Sequence, residues 1–217
     1  MGVALSPVID APHASEPVDN CSLCPRLVLC RSQTDIALPA TPLGPSHARV
    51  LIVSLAPDHE RGPQLSFLDS EAEALLYATL TELGFAETRV NDNGEATVIP
   101  VESRIVSAIR CPAPAGVPQP SEVATCNQFL RSELQTMPNL RIVVTLGVLA
   151  HNATLAACGV PLSRVSFQNG QITGMPDGLK IANSYYLSRH TLNTGQVSPA
   201  HFRNLMTAVR QELDNAS

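Results

Sequence analysis

The chain has 217 residues, of which 44% are hydrophobic and 15% are charged, and its formal net charge is −5. This composition supplies a buried core and excludes a low-complexity or disordered chain. The acidic balance disfavours nucleic-acid binding over a broad basic surface, so we expect any contact with DNA to be local.

The beginning of the chain differs in composition from the rest. Residues 1–20 are rich in proline, serine and acidic side chains, which predicts a flexible N-terminal arm in front of a single domain over residues 21–217. No stretch has the roughly eighteen consecutive apolar residues that a membrane span needs. We therefore expect a cytoplasmic monomer without membrane contact.

From residue 48 onward, apolar runs alternate with helical patterns. "ARVLIVSLAP" is a short apolar run stopped by proline, which is typical of a strand buried on both faces of a parallel sheet. "RIVSAIRC", "LRIVVTLG" and "GLKIANSYY" predict further strands. The predicted helices are "SEAEALLYATLTELG", "PSEVATCNQFLRSELQTM" with Ser121 as N-cap, "VLAHNATLAACG", and "SPAHFRNLMTAVRQELDN" with Ser198 as N-cap. This alternation predicts an α/β fold, a doubly wound three-layer sandwich around a mostly parallel sheet, with functional loops at the carboxyl ends of the strands.

Six cysteines in a reducing compartment are expected to be metal ligands, reactive thiols or core residues rather than disulfides. In "CSLC", two residues separate Cys21 from Cys24, so both sulfur atoms can face one metal centre. Cys111 and Cys126, with fourteen residues between them, would complete a four-thiolate set for zinc or for a cubane iron–sulfur cluster. Spacing alone leaves equally open the alternative that Cys111 and Cys126 are buried thiols.

The order of the motifs resembles the iron–sulfur uracil-DNA glycosylases, the fourth and fifth families of that superfamily, and most closely the fifth. The resemblance extends from Cys21 to about Phe202 and includes "CSLCPRL", "VLIVSLAP", "SAIRCPAPAGVPQPSEVATC", "LRIVVTLGVLA", "FQNG" and "SYYLSRHTLNTGQVSP". It implies a uracil-DNA glycosylase-like fold. It also implies a [4Fe–4S] cluster on Cys21, Cys24, Cys111 and Cys126, with zinc as the alternative metal.

The resemblance also implies where a substrate would bind. Enzymes of this superfamily flip a base out of the duplex, stack it on an aromatic ring and hydrolyse its glycosidic bond. Phe67 corresponds to the stacking ring. The residues that the resemblance places in the pocket are Ala56, Pro57, Phe67, Asn169, Ser184, Ser188 and Asn193.

Several family positions carry different residues in this chain. The first loop, "APDHERGPQLSF", is two residues shorter than the family pattern, and Gly116 and Val117 replace an asparagine and a basic residue. The last motif of the family is roughly Ser-Tyr-His-Pro-Ser, and here Tyr186 and Leu187 take the histidine and proline positions, while Asn169 replaces a histidine in "FQNG". A phenol donates one hydrogen bond but lacks the charge of an imidazolium. These changes predict an eroded catalytic site.

Two functional hypotheses follow from these changes. The first is a non-catalytic or weakly active relative that binds DNA, a nucleotide or a protein partner. The second is an active glycosylase of base-excision repair that removes uracil or another deaminated base. Its catalytic groups would be Asp58, which would hold water, and His59 and His190, which would stabilise the leaving base beside Tyr186. An equally open interpretation makes these three titratable side chains solvated loop residues.

Overall fold

The computed structural model describes residues 21–33, 39–57, 70–90, 93–94 and 96–215. Within these ranges, every helix is too short or too polar to cross a bilayer. The described residues form the strands β1 (Val50–Ser54), β2 (Ala86–Val90), β3 (Ala96–Pro100), β4 (Ser103–Ser107), β5 (Ile142–Leu146), β6 (Ile172–Gly174) and β7 (Lys180–Ser184). They form the helices α1 (Pro25–Ser32), α2 (Ser70–Glu82), α3 (Pro120–Thr136), α4 (Val148–Ala157), α5 (Arg189–Asn193) and α6 (Pro199–Asp214).

The central sheet has the strand order β4-β1-β5-β7-β6 in the described part of the chain. The first four strands are parallel, and β6 pairs antiparallel with β7 at one edge. All residues of β1 and β5 are buried, as expected for central strands covered on both faces. The predicted α/β class with a mostly parallel sheet is therefore confirmed, and the carboxyl ends of the parallel strands meet at one edge.

Helices cover both faces of this sheet. On one face, α2 and α6 bury a core that includes Leu76 and Phe202. On the other face, α3 and α4 pack against Leu51 and Val53 through side chains such as Leu130. Each of these large apolar side chains contributes roughly 1.5–3 kcal/mol when it is fully buried. The two cores hold the loops at the carboxyl edge in fixed relative positions.

A short extended segment covers the outer edge of β4. The backbone N–H of Leu43 donates to the carbonyl oxygen of Ile105 at 2.9 Å, and the N–H of Ile105 donates back at 2.7 Å. Gly44 follows with a φ of +98°, and a Cβ atom there would lie 2.3 Å from the carbonyl oxygen of Ser103. This segment, which we call the edge strap (residues 39–45), therefore requires glycine for its close approach to β4.

One of the two predicted helix N-caps is confirmed by the structure, and the other is wrong. The hydroxyl of Ser198 accepts a hydrogen bond from the backbone N–H of His201 at 3.1 Å, which confirms the predicted N-cap of α6. The predicted N-cap Ser121 is wrong, because α3 begins at Pro120 and its N-cap is Gln119. Proline suits the first turn of a helix, and the backbone N–H of Gln119 donates to the Glu122 carboxylate at 2.7 Å. The capping box thus begins two residues before Ser121.

Candidate base pocket and cysteine site

An apolar pocket of about 490 Å³ opens at the carboxyl edge of the sheet. This volume falls in the range of roughly 300–1,000 Å³ that is typical of small-molecule sites. The loops after β1, β5 and β7 supply most of its walls. The described residues that line this pocket, which we call the edge pocket, are Leu55, Ala56, Pro57, Gly116, Leu146, Gly147, Val148, Leu149 and Tyr186.

Gly147 joins two walls of the edge pocket. Its backbone N–H donates to the carbonyl oxygen of Ser184 at 2.7 Å, and it has a φ of +98°. A Cβ atom at this position would lie 3.3 Å from the Cβ atom of Tyr186, so a larger residue would be both strained and crowded. Immediately after it, α4 begins at the pocket. The first backbone N–H groups of a helix have no partner within the helix, so this wall offers hydrogen-bond donors and a partial positive charge.

Hydrogen bonds fix the loop that carries Tyr186. The backbone N–H of Tyr185 donates to Oδ1 of Asn169 at 2.7 Å. The carbonyl oxygen of Tyr186 accepts from the Thr191 hydroxyl at 2.7 Å, and Thr191 also forms a capping box with Ser188 at the start of α5. The Tyr186 side chain nevertheless remains 38% exposed at the pocket. Asn169 and Ser188 thus position the tyrosine loop.

The residues expected in the pocket fall into four sets. Ala56, Pro57 and Tyr186 line the edge pocket together. Asn169 and Ser184 instead line a separate narrow cavity beside α6. Three further residues lie in or beside α5, where Ser188 is its N-cap and the side chains of His190 and Asn193 are exposed. Outside the described residues lie Asp58, His59 and Phe67.

A buried polar cluster lies behind the pocket wall formed by α4. Nδ1 of His151 is 2.8 Å from Oδ1 of Asn183, and its Nε2 is 3.1 Å from the carbonyl oxygen of Val165. Thr145 donates its hydroxyl to the same Asn183 oxygen at 2.8 Å. This cluster ties α4 to β5 and β7 and so fixes the helix start at the pocket. The spacing of His151 on an apolar helix face gave no sign of this role.

The four predicted ligand cysteines lie around one narrow cavity. Cys21 and Cys24 precede α1, Cys111 follows β4, and Cys126 lies in α3; all four line the cavity. They also belong to one packed cluster with apolar residues such as Leu27. All six cysteines of the chain are free thiols.

The arrangement of these sulfur atoms bears on the kind of centre that they suit. Among the described residues, no three or more His, Cys, Asp or Glu side chains are grouped closely enough to hold a single metal ion. Tetrahedral zinc requires sulfur atoms about 3.8 Å apart, because each Zn–S bond is about 2.3 Å. A cubane cluster is larger and holds its four thiolates further apart. The four cysteines line one cavity without forming a closed single-ion site in the described part of the chain.

Hydrogen-bond donors point at two of these sulfur atoms. Nη1 of Arg31 donates to Sγ of Cys111 at 3.2 Å, and the backbone N–H of Arg110 donates to Sγ of Cys126 at 3.4 Å. Both arginine side chains are buried, which brings positive charge next to the thiols. Such donors and charges favour thiolates over neutral thiols and are typical of the surroundings of metal-bound cysteines.

Ion pairs hold the segments around the cysteines together. Arg26 of α1 makes two hydrogen bonds to the carboxylate of Glu122, at 2.8 and 2.6 Å. Arg104 of β4 makes two to the carboxylate of Glu133, at 2.7 and 3.1 Å, and Arg110 is within 3.8 Å of that carboxylate. Bidentate pairs of this kind fix orientation as well as distance. They anchor α1 and β4 to α3.

Comparison with known proteins identifies the family. Residues 41–210 match the uracil DNA glycosylase superfamily. The chain belongs to this superfamily. It is 28% identical over 204 residues to the Type-5 uracil-DNA glycosylase of Thermus thermophilus, covering 88% of this chain and 93% of that protein. It is 30% identical over 191 residues to the Type-5 enzyme of Pyrobaculum aerophilum, covering 82% and 83% of the two chains. A Mycobacterium bovis Type-5 protein is 27% identical over 200 residues, 84% of this chain and 74% of the relative.

The uracil DNA glycosylase match covers the two sites unequally. It includes every described wall residue of the edge pocket, together with Cys111 and Cys126. Cys21 and Cys24 precede its first residue. These relatives are Type-5 enzymes, which confirms the resemblance to the fifth family that the motifs predicted.

Burial dominates the acid–base behaviour of Cys24, Cys111 and Cys126. It raises the pKa of Cys126 to about 12, and it also raises the pKa of Cys111 and Cys24. The nearby guanidinium of Arg31 acts on the pKa of Cys111 in the opposite direction. Without a metal these thiols are protonated near neutral pH, so thiolate coordination has to displace their protons.

Proposed function

We propose that the protein is an iron–sulfur member of the fifth uracil-DNA glycosylase family that binds an extruded base in the edge pocket and excises uracil weakly or not at all. The observation that carries this proposal is the composition of the pocket. Among the described residues that line it, Tyr186 is the only one with a polar side chain. The pocket therefore offers shape, apolar contact and hydrogen bonds, but no charged side chain from its described walls.

The walls suit a flat heterocycle taken out of a DNA stack. Glycosylases of this kind bind a flipped base between apolar or aromatic groups and contact its edge with hydrogen bonds. Leu55, Pro57 and Leu149 supply apolar surface, while the first N–H groups of α4 and the Tyr186 hydroxyl supply donors for carbonyl oxygens. Val148 and Leu149 are exposed at the rim, at 44% and 56%. The DNA contact that we propose is local to this rim, as the acidic chain requires.

Weak excision follows from the charge that develops during the reaction. The departing base becomes an anion, and loss of one donor aimed at such an anion typically costs about 2.7–4 kcal/mol, or a factor of roughly 10²–10³ in rate. A neutral phenol at Tyr186 does not supply the charge of an imidazolium. The start of α4 contributes about 0.3–1 kcal/mol to a nearby anion, which is too little to replace it.

The proposal includes a [4Fe–4S] cluster on Cys21, Cys24, Cys111 and Cys126. The residues present fit that group, because four free thiols line one cavity and N–H groups point at two of the sulfur atoms. When bound, the cluster would supply a structural cross-link among α1, the loop after β4 and α3. Purified protein should contain about four iron atoms per chain, and a colourless protein with one zinc ion per chain would contradict this part.

A second candidate function is an active glycosylase that uses Asp58 and His59. The observation that favours it is the position of Pro57, which lines the edge pocket directly before these residues in the chain. The relatives from Thermus thermophilus and Pyrobaculum aerophilum are Type-5 uracil-DNA glycosylases. In this case Asp58 would hold the attacking water and His59 would stabilise the departing base.

An excision assay separates the two functions. Oligonucleotides carrying uracil, hypoxanthine or xanthine, as single strands and in mispairs, are incubated with excess protein, and their binding is measured separately by fluorescence anisotropy. We expect binding without excision above background. Excision that is lost in Asp58→Asn at unchanged iron content would favour the second candidate. Strong excision that survives both Asp58→Asn and His59→Ala would refute both assignments.

The remaining parts of the proposal concern the cellular setting. We also propose that the protein is a cytoplasmic monomer. Size-exclusion chromatography with light scattering measures the second part directly. A stable dimer at micromolar concentration would contradict the monomer.

A further inference from the structure

Arg31 connects two of the segments that carry the cavity cysteines. It lies in the last turn of α1, and only 6% of its surface is exposed. Its Nη2 donates to the backbone carbonyl oxygen of Cys21 at 3.0 Å, while its Nη1 donates to Sγ of Cys111 at 3.2 Å. One guanidinium thus contacts two of the cysteines that line the cavity.

The chemistry of arginine suits this bridge. The guanidinium is planar, remains charged, and presents several donors in a rigid fork, so it fixes two acceptors relative to each other. A buried charge is costly unless an opposite charge or strong acceptors compensate for it. An iron-bound thiolate at Cys111 would be such an acceptor, and hydrogen bonds to cluster sulfur atoms tune iron–sulfur centres.

We propose that Arg31 is a positioning residue of the cluster site, which holds Cys21 beside Cys111 and donates a hydrogen bond to the Cys111 thiolate in the iron-loaded protein. This inference rests on the [4Fe–4S] cluster of the proposed function. Arg31 would then affect the cluster directly, in addition to the packing of α1.

A second arginine of the same helix provides a matched control. Arg26 also anchors α1, but it does so through the carboxylate of Glu122 and the carbonyl oxygen of Val117. Removal of either side chain loosens α1. Removal of Arg31 also takes a donor away from a ligand sulfur, so the two variants separate packing from an effect on the cluster.

The experiment compares the full-length wild type with Arg31→Gln, Arg31→Lys and Arg26→Gln, each reconstituted with ferrous iron and sulfide. Iron content, the rate at which visible absorbance is lost in excess chelator, and the Fe–S stretching frequencies in resonance Raman spectra are measured. Changes around metal ligands typically cost about 10- to 100-fold in metal affinity, so we expect cluster loss at least roughly tenfold faster in Arg31→Gln. We also expect shifted Fe–S frequencies in Arg31→Gln and wild-type frequencies in Arg26→Gln.

Arg31→Lys tests the bridge itself, because lysine keeps the charge but lacks the fork. We expect it to lose the cluster faster than the wild type, and it carries the test if Arg31→Gln does not fold. Wild-type rates and frequencies in both Arg31 variants would overturn the proposal, as would equal frequency shifts in Arg26→Gln. A wild type that takes up no iron would refute the cluster, whereas a loaded wild type with unaffected Arg31 variants would refute the role of Arg31 alone.

Discussion

The cysteine site and the edge pocket lie at the same end of the sheet, yet among the described residues only the cysteine site has charged side chains beside its apolar walls. The cysteine site has buried arginines, two bidentate carboxylate pairs and four thiols around a narrow cavity. The described walls of the edge pocket are apolar residues, glycines and one tyrosine, around about 490 Å³ of space. Gly116 lines the pocket and lies in the loop between Cys111 and Cys126, so the two regions share one loop.

This difference predicts which of the two regions tolerates amino-acid substitution. Buried ions cost several kcal/mol each to desolvate, so removing one partner leaves a large uncompensated cost. A partly open apolar pocket has no such dependence, and changes in its walls alter binding more than folding. We therefore expect the cysteine site to govern stability and the edge pocket to govern ligand choice.

The largest expected effect comes from removing a ligand cysteine. Cys126→Ser should abolish iron binding, since the proposed ligand from α3 is lost. Hydrogen exchange measured by mass spectrometry should show lost protection in α1 while β5 stays protected, because β5 lies in the core of the sheet. Cys158→Ser is the control, because Cys158 lies at the end of α4 and not in the cavity wall. Full iron content in Cys126→Ser would contradict the ligand set.

A smaller effect is expected from breaking the ion-pair network beside the cavity. Glu133→Gln removes the carboxylate that binds Arg104 and lies near buried Arg110, so we expect it to lower the free energy of unfolding by about 3–5 kcal/mol. Urea denaturation of wild type and variant measures this difference. The control is Glu212→Gln, which breaks a more exposed pair with Lys180 and should cost at most about 1 kcal/mol. Equal losses in both variants would show that burial of the Arg104–Glu133 pair does not set its contribution to stability.

Changes at Tyr186 should affect binding rather than stability. Its side chain is 38% exposed, so Tyr186→Phe and Tyr186→Ala should each change the free energy of unfolding by less than about 1 kcal/mol. Loss of the hydroxyl should weaken binding of a uracil-containing strand by roughly tenfold at most, and loss of the ring should weaken it further. Fluorescence anisotropy at fixed salt measures both. Wild-type affinity in Tyr186→Ala would show that the edge pocket is not the base site.

The smallest effect concerns Tyr77, a residue of α2 that lines neither the edge pocket nor the cysteine cavity. Burial, with a smaller contribution from Glu73, raises the pKa of the Tyr77 phenol to about 12, above the value of about 10 in an unfolded chain. The folded state therefore holds this proton more tightly. Its stabilising contribution is present below about pH 10 and is lost as pH rises toward 12. Denaturant midpoints at about pH 9 and pH 11 should fall more in the wild type than in Tyr77→Phe, and parallel falls would contradict this.

The sequence predicted the parts of the fold that depend on apolar periodicity. The runs that became β1, β4, β5 and β7 are buried in the sheet, and the helices α2, α3, α4 and α6 follow from patterned or capped segments. The β2–β3 hairpin was missed because most of its side chains are exposed and carry no burial pattern. The short helix α5 was missed because its capping box pairs Ser188 with Thr191 instead of a glutamate or glutamine.

The candidate sites were predictable only in their local motifs. Cysteine spacing and motif order suggested the four thiols that line one cavity, and proline after an apolar run suggested the wall at Ala56 and Pro57. No local pattern indicates that Arg31 reaches Cys111 across 80 residues of chain. No local pattern indicates that His151 of α4 forms a hydrogen bond with Asn183 of β7. These contacts depend on how distant elements pack, which a pattern within one element does not contain.

The edge strap has a consequence for how this chain can be shortened. A parallel sheet that ends in an uncovered strand exposes a row of backbone donors and acceptors to any neighbouring molecule. The hydrogen bonds between Leu43 and Ile105 occupy part of that row on β4, and Gly44 allows the strap to lie against it. A truncated protein that begins after residue 45 would present part of β4 to other copies, and it would also lack Cys21, Cys24 and α1. We expect such a fragment to self-associate more readily than the intact chain, as light scattering at matched concentrations would show.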